Sequence, residues 1–115
     1  MTTDCLFCRI VAGEIPAQVV RETATTIAFR DIDPQAPTHV LVVPREHYAT
    51  VAELAAADGG LVGDLVAEAV AIAASEGIAE RGYRLVFNTG VAGGQTVDHV
   101  HCHLLGGRQM TWPPG

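Results

Sequence analysis

Aromatic side chains are scarce in this chain: one Trp, two Tyr and three Phe make up 5% of 115 residues. The core must therefore be aliphatic, drawn from the Val, Ile, Leu and Ala of a 49% hydrophobic fraction. No apolar run approaches the ~20 residues needed to cross a bilayer, so no membrane span is expected. Positive charge is also short: seven Lys and Arg stand against thirteen Asp and Glu, a net charge of −6. That balance argues against general affinity for nucleic-acid backbones or anionic membranes. It leaves room for one small phosphorylated ligand, because main-chain N–H groups hold a phosphate without basic side chains. The opening Met1-Thr2-Thr3-Asp4-Cys5 lacks a basic n-region and an apolar h-region. The three cysteines cannot all pair within one chain and suit a reducing compartment, so a cytoplasmic location is expected. There is no repeat, low-complexity tract or linker. Residues 1–115 read as a single domain, long enough to bury about two-thirds of its unfolded surface.

Hydrophobic periodicity supplies the elements. Phe7, Ile10 and Val11 fall at helical spacing, giving a short helix over Cys5 to Val11 with Gly13 as its stop. Val19–Glu22 and Thr26–Phe29 read as two strands joined by a Thr-Ala turn. Asp31 to Pro37 is a loop, and His39–Val43 is a nearly continuous apolar run ended by Pro44, as in a central strand. Thr50 is a candidate N-cap for a helix through Ala57, and Gly60 to Glu76 carries a longer amphipathic helix stopped at Gly77. Tyr83–Phe87 is a fourth strand and His99–Leu105 a fifth. The pattern predicts an α+β domain: a mainly antiparallel five-stranded sheet with one long helix and short helices.

The most informative run is His99-Val100-His101-Cys102-His103-Leu104-Leu105. In an extended strand its three imidazoles share one face, while Val100, Cys102 and Leu104 point into a core. Geometry argues against one metal held by all three, since the outer Cα atoms stand roughly 13 Å apart at ~3.3 Å per residue against ring–metal bonds of ~2.1 Å, although neighbours in the row could share an ion. The row must be divided between tasks. It follows a loop, Asn88-Thr89-Gly90-Val91-Ala92-Gly93-Gly94-Gln95-Thr96, whose glycines let main-chain N–H groups approach a ligand. Imidazoles, N–H groups and the Thr96 hydroxyl together suit phosphate oxygens. His101, flanked on both sides, is the candidate nucleophile at phosphorus, with its other nitrogen expected to donate to a main-chain carbonyl. Cys5-x-x-Cys8 has three readings: a redox pair, two buried thiols, or half of a zinc site that needs two further ligands. His47 and His99 are free candidates for those two.

The His-x-His-x-His run preceded by Gly94-Gln95-Thr96-Val97 resembles the signature of the histidine triad (HIT) superfamily. Asp31 to His39, the tail Gly106 to Gly115, and Phe7-Cys8-Arg9-Ile10 with Glu14-Ile15-Pro16 resemble its Hint-like branch. The resemblance implies a HIT-like fold in a homodimer that forms one continuous sheet, with Trp112 near the partner's active site. It implies a purine nucleoside phosphoramidase that cleaves a P–N bond through a nucleotidyl-histidine. By that resemblance His101 is the nucleophile. His103, Asn88, Gln95, Thr96 and the Gly94 main chain surround the phosphate, and Asp31 holds the ribose. Phe7, Ile15, Ile32 and Leu41 form the base slot, with His39 near the site. Some bacterial members are similar in joining two N-terminal cysteines to two such histidines, which implies a structural zinc on Cys5, Cys8, His47 and His99 and no organic cofactor. The sequence departs from the branch at Thr96, where serine is common, and at Cys102, where a bulkier apolar residue is usual. Two other functions fit the same residues: a dinucleoside polyphosphate hydrolase of this superfamily, or a nucleotide-binding interaction protein with incidental hydrolysis.

Overall fold

The computed structural model describes residues 4–115; the Met1-Thr2-Thr3 start, where no basic n-region is expected, lies outside the described residues. Three helices and five strands follow in the order α1 (Leu6–Val11), β1 (Val19–Glu22), β2 (Thr26–Arg30), β3 (Thr38–Pro44), α2 (Val51–Ala57), α3 (Gly59–Ser75), β4 (Tyr83–Val86) and β5 (Cys102–Gly106). The strands form one sheet in the order β1-β2-β3-β5-β4, antiparallel at every step. This is the α+β architecture that the periodicity predicts.

Local chemistry sets the boundaries. The Thr50 hydroxyl accepts from Glu53 N–H and caps α2, and Asp58 does the same for Leu61 N–H at the start of α3. Gly77, at φ +75°, adopts the left-handed turn that follows α3. The β1–β2 turn is tied by Thr23 Oγ1, which accepts from Thr26 N–H at 2.9 Å.

Alternation along β3 puts different side chains on the two faces of the sheet, and every residue of this strand is buried. Val40 and Val42 join Ala28, Cys102 and Leu104 against Leu54, Leu61, Leu65, Ala69 and Ile72 of α2 and α3. Leu41 and Val43 join Ile27 and Phe29 against Phe7 of α1. Among the described residues, this second face is covered by the short α1 together with Ala17 and Val97, and the site lies there.

One expectation is corrected. The histidine row is not all strand, because pairing between β3 and β5 ends at Val42 with Cys102. His99 and His101 precede the ladder in irregular chain. The cause is Pro44, which has no N–H to extend the pairing and whose carbonyl accepts from the His99 ring instead, at 2.9 Å. Val100 N–H turns to Tyr48 O, at 2.7 Å. Alternation survives without the ladder, since Val100 still packs with Cys102 and Leu104 on the α3 face.

Candidate active site and metal cluster

Every ring in the histidine run has a hydrogen-bond partner that sets its tautomer. The His99 ring is buried, and its Nε2–H donates to Pro44 O, which leaves Nδ1 as a lone pair. His101, 6% exposed, donates Nδ1–H to His99 O at 2.7 Å, so its Nε2 carries the free lone pair. The His101 ring stands edge-on to Phe7, with centroids 5.1 Å apart, and 4.9 Å from the ring of His103. His39 accepts Gln35 N–H on Nδ1 at 3.0 Å. When neutral it must then carry its proton on Nε2, which stands 2.9 Å from His103 Nδ1. That proton occupies His103 Nδ1, so a neutral His103 presents Nε2–H as a donor. The main-chain amide of Gln35 thus polarises a two-ring chain. Asp31 sits beside it, one carboxylate oxygen 3.5 Å from His39 Nε2 and the other accepting Asp33 N–H at 2.8 Å. This chain accounts for the close grouping of Asp31, His39 and His103 without an ion.

Burial keeps these imidazoles neutral. His103 is pushed down to about 4, by burial first and then by the facing His101 and His39, against the opposing pull of Asp31. Burial also lowers His39, against Asp31 and Asp33, and lowers His101 against its bond to His99 O. An unfolded histidine takes its proton near 6.5, whereas these folded rings hold out to lower pH. Between those values the unfolded chain binds more protons. Stability is therefore full above about pH 6.5 and falls as pH drops toward 4. Thermal melts should give a level Tm above pH 6.5 and a steady decline below it; an unchanged Tm down to pH 4.5 would contradict this.

His101 and His103 line a cleft of about 310 Å³ with Asp31, Thr96, and the apolar Phe7, Ile15, Ile32 and Leu41. Ile32 is 99% exposed, so one wall of the cleft is open to water. Eight of the residues singled out from the sequence thus meet on one surface. His39 stands behind His103 rather than in the cleft. Asn88, Gly94 and Gln95 do not line it and serve the loop instead. Asn88 Nδ2 donates to Gly93 O at 2.7 Å. Gln95 accepts Gly90 N–H and donates to Ala49 O and Val97 O, so both ends of its amide are committed. Gly94 takes φ +82°, a value suited to glycine. At Gly93 an added Cβ would collide with the main-chain carbonyl of Thr89. Gly93→Ala should cost about 1–3 kcal/mol and lower Tm by roughly 4–12 °C, read by calorimetry. The His39–His103 bond is a contact that spacing alone does not reveal, because it joins β3 to β5 across the sheet.

The second cluster stands against the first. Cys5, Cys8, His47 and His99 offer one ligand atom each, all within 4.8 Å of one another. Cys8 Sγ is 3.2 Å from His47 Nδ1 and 3.5 Å from His99 Nδ1, and Cys5 Sγ is 3.4 Å from His99 Nδ1. A tetrahedral zinc with Zn–S of ~2.3 Å and Zn–N of ~2.1 Å sets sulfur and nitrogen roughly 3.6 Å apart, so the spacing fits. The donor chemistry fits too, since His99 presents its unprotonated nitrogen to the sulfurs and anchors the other on a carbonyl.

Fold and site together define a histidine-run protein of one recognised class, and the chain belongs to the HIT domain family, whose model matches residues 12–110. It is 46% identical over 110 residues to a purine nucleoside phosphoramidase of Escherichia coli strain K12, covering 96% of this chain and 92% of that one. It is 52% identical over 115 residues, the full length of both, to an uncharacterized HIT-like protein of Synechococcus elongatus. Among solved structures, a HIT family hydrolase from Legionella pneumophila superposes with TM-score 0.93 at 56% identity, covering 96% of this chain and 99% of that one. Among the described residues, no helix is long and apolar enough to cross a membrane.

Proposed function

We propose that this chain is a hydrolase that cleaves the P–N bond of purine nucleoside 5′-phosphoramidates through a nucleotide held covalently on His101. The observation that carries the reading is the tautomer of His101. Its Nδ1–H is committed to His99 O, and its free Nε2 belongs to a ring on the cleft beside His103 and Asp31. The name of the E. coli relative supports the substrate class.

In the first step His101 Nε2 attacks phosphorus, and the P–N bond breaks as the new bond forms. The amine leaves with a proton donated by the Thr96 hydroxyl, which lines the same cleft. His103 donates Nε2–H to a phosphoryl oxygen as charge builds there. In the second step water attacks phosphorus, the bond from phosphorus to His101 Nε2 breaks, and the proton released by the water restores the Thr96 hydroxyl. Asp31 accepts from the ribose hydroxyls, and the base lies among Phe7, Ile15, Ile32 and Leu41. Asn88, Gln95 and Gly94 act by shaping the phosphate loop. Cys5, Cys8, His47 and His99 would hold a structural zinc, whose charge two thiolates neutralise and whose four positions they fill. We also propose a homodimer. β4 is an edge strand of the sheet, and Trp112 is 85% exposed on a tail tied back by Arg84, which donates to Thr111 O.

Mass spectrometry of the protein quenched in acid during turnover of adenosine 5′-phosphoramidate tests the mechanism. A nucleotide on the peptide that carries His101 is expected; turnover with no protein-bound nucleotide would count against the covalent route.

A further inference from the structure

We propose that Cys5 and Cys8 form a redox modification site, in which a peroxide-class oxidant closes a disulfide that withdraws both sulfurs from His47 and His99 and releases His101 from its working orientation. The consequence for catalysis rests on the reading of His101 as nucleophile.

Three observations point to a pair that reacts together. The two sulfurs lie within 4.8 Å of each other and of the two rings. Both cysteines are partly exposed, and Cys5 borders an open hollow of about 430 Å³ together with Asp4, His47 and Thr96. A small oxidant reaches sulfur from there. The third cysteine, Cys102, is fully buried in the α3 core, so oxidation is confined to the pair.

The same segment is wired to the nucleophile by two contacts. Phe7, between the two cysteines, stands edge-on to both His101 and His99, with centroids 5.1 and 6.0 Å away. His99 presents Nδ1 to both sulfurs while its carbonyl holds His101 Nδ1–H. Cys5 is the extended N-cap of α1, and its sulfur accepts Cys8 N–H at 3.4 Å, so the two side chains already share the first turn of the helix. Closing the bond turns the sulfurs toward each other and takes from His47 and His99 the partners of their Nδ1 atoms. Phe7 and His99 move with it.

The step balances. Two thiols and one hydrogen peroxide give one disulfide and two waters: the S–S bond forms, the O–O bond breaks, and both S–H protons pass to oxygen. Where the sulfurs are held as thiolates by a metal, solvent supplies the two protons and the ion departs. A dithiol reductant reverses the change by exchange. Displacing a reacting group by about 1 Å costs on the order of 100-fold in rate, and a loss of that size, restored on reduction, is expected.

The test uses the full chain loaded with zinc and treated with stoichiometric peroxide. Digestion after Arg9 yields a peptide with both cysteines, expected to be lighter by two hydrogen atoms. The His101 Nδ1–H resonance, assigned by its absence in His101→Ala, is expected to shift or vanish on oxidation and return with dithiothreitol. Cys102→Ala should respond as the parent does. A Cys5–Cys8 disulfide that leaves this resonance unmoved overturns the proposal, as does oxidation of the two sulfurs without pairing. Should the reduced protein form no nucleotide adduct, the hydrolase reading fails, while the resonance still decides the switch.

Discussion

Replacing His101 with alanine will lower turnover of an adenosine phosphoramidate by roughly 10⁴-fold or more, with nucleotide affinity kept within about threefold. The split follows from what the ring touches. Its Nδ1–H is used by His99 O, and in the proposed mechanism its free Nε2 supplies to phosphorus an electron pair that no neighbour replaces. His103 cannot substitute, because the chain from Gln35 through His39 leaves it a proton rather than a lone pair on Nε2. In the same proposal the contacts for ribose and base come from Asp31, Phe7, Ile15, Ile32 and Leu41, on α1, the chain after it, β3 and the loop before it. Single-turnover rates and titration calorimetry with the product nucleotide measure the two quantities separately. Loss of both together would mean that His101 binds rather than reacts.

The second large effect is on stability. Elemental analysis of the purified protein should find one zinc per chain, and Cys8→Ala should abolish it and lower Tm by roughly 15 °C. Cys8 is the cysteine in contact with both rings, with its sulfur 3.2 Å from His47 Nδ1 and 3.5 Å from His99 Nδ1. A ligand present at about 1,000 times its Kd stabilises the folded state by about 4 kcal/mol, and about 4 °C is lost per kcal/mol in a domain near this size. A chelator added to the parent protein should reproduce the shift, and added zinc should leave the variant unchanged. A parent protein free of metal after reducing, chelator-free purification would rule out the assignment.

Much of this was legible in the residues. Helix and strand periods, the Thr50 cap and the Gly77 stop lie close in the chain, and each boundary falls within a residue or two of its expected place, apart from β5. Cys5-x-x-Cys8 was equally visible, because its chemistry is local. What could not be read was set by partners far apart. The end of β5 depends on a proline 58 positions before Cys102 and on a ring bond across the sheet. The division of labour in the loop is similar: Asn88 and Gln95 carry the right groups for phosphate, and only the fold shows them engaged with the main chain. Asp58 as the cap of α3 was hidden by the glycines that follow it.

The truncated pairing of the third and fifth strands has one more consequence. A sheet that continued would tie up its carbonyls in cohesion between neighbours. By stopping short, it frees the Pro44 oxygen to act as the reference point for the His99 ring, whose own carbonyl in turn aims His101. The frayed end is thus a jig, and lengthening the sheet by protein engineering would firm up the scaffold at the expense of its aim.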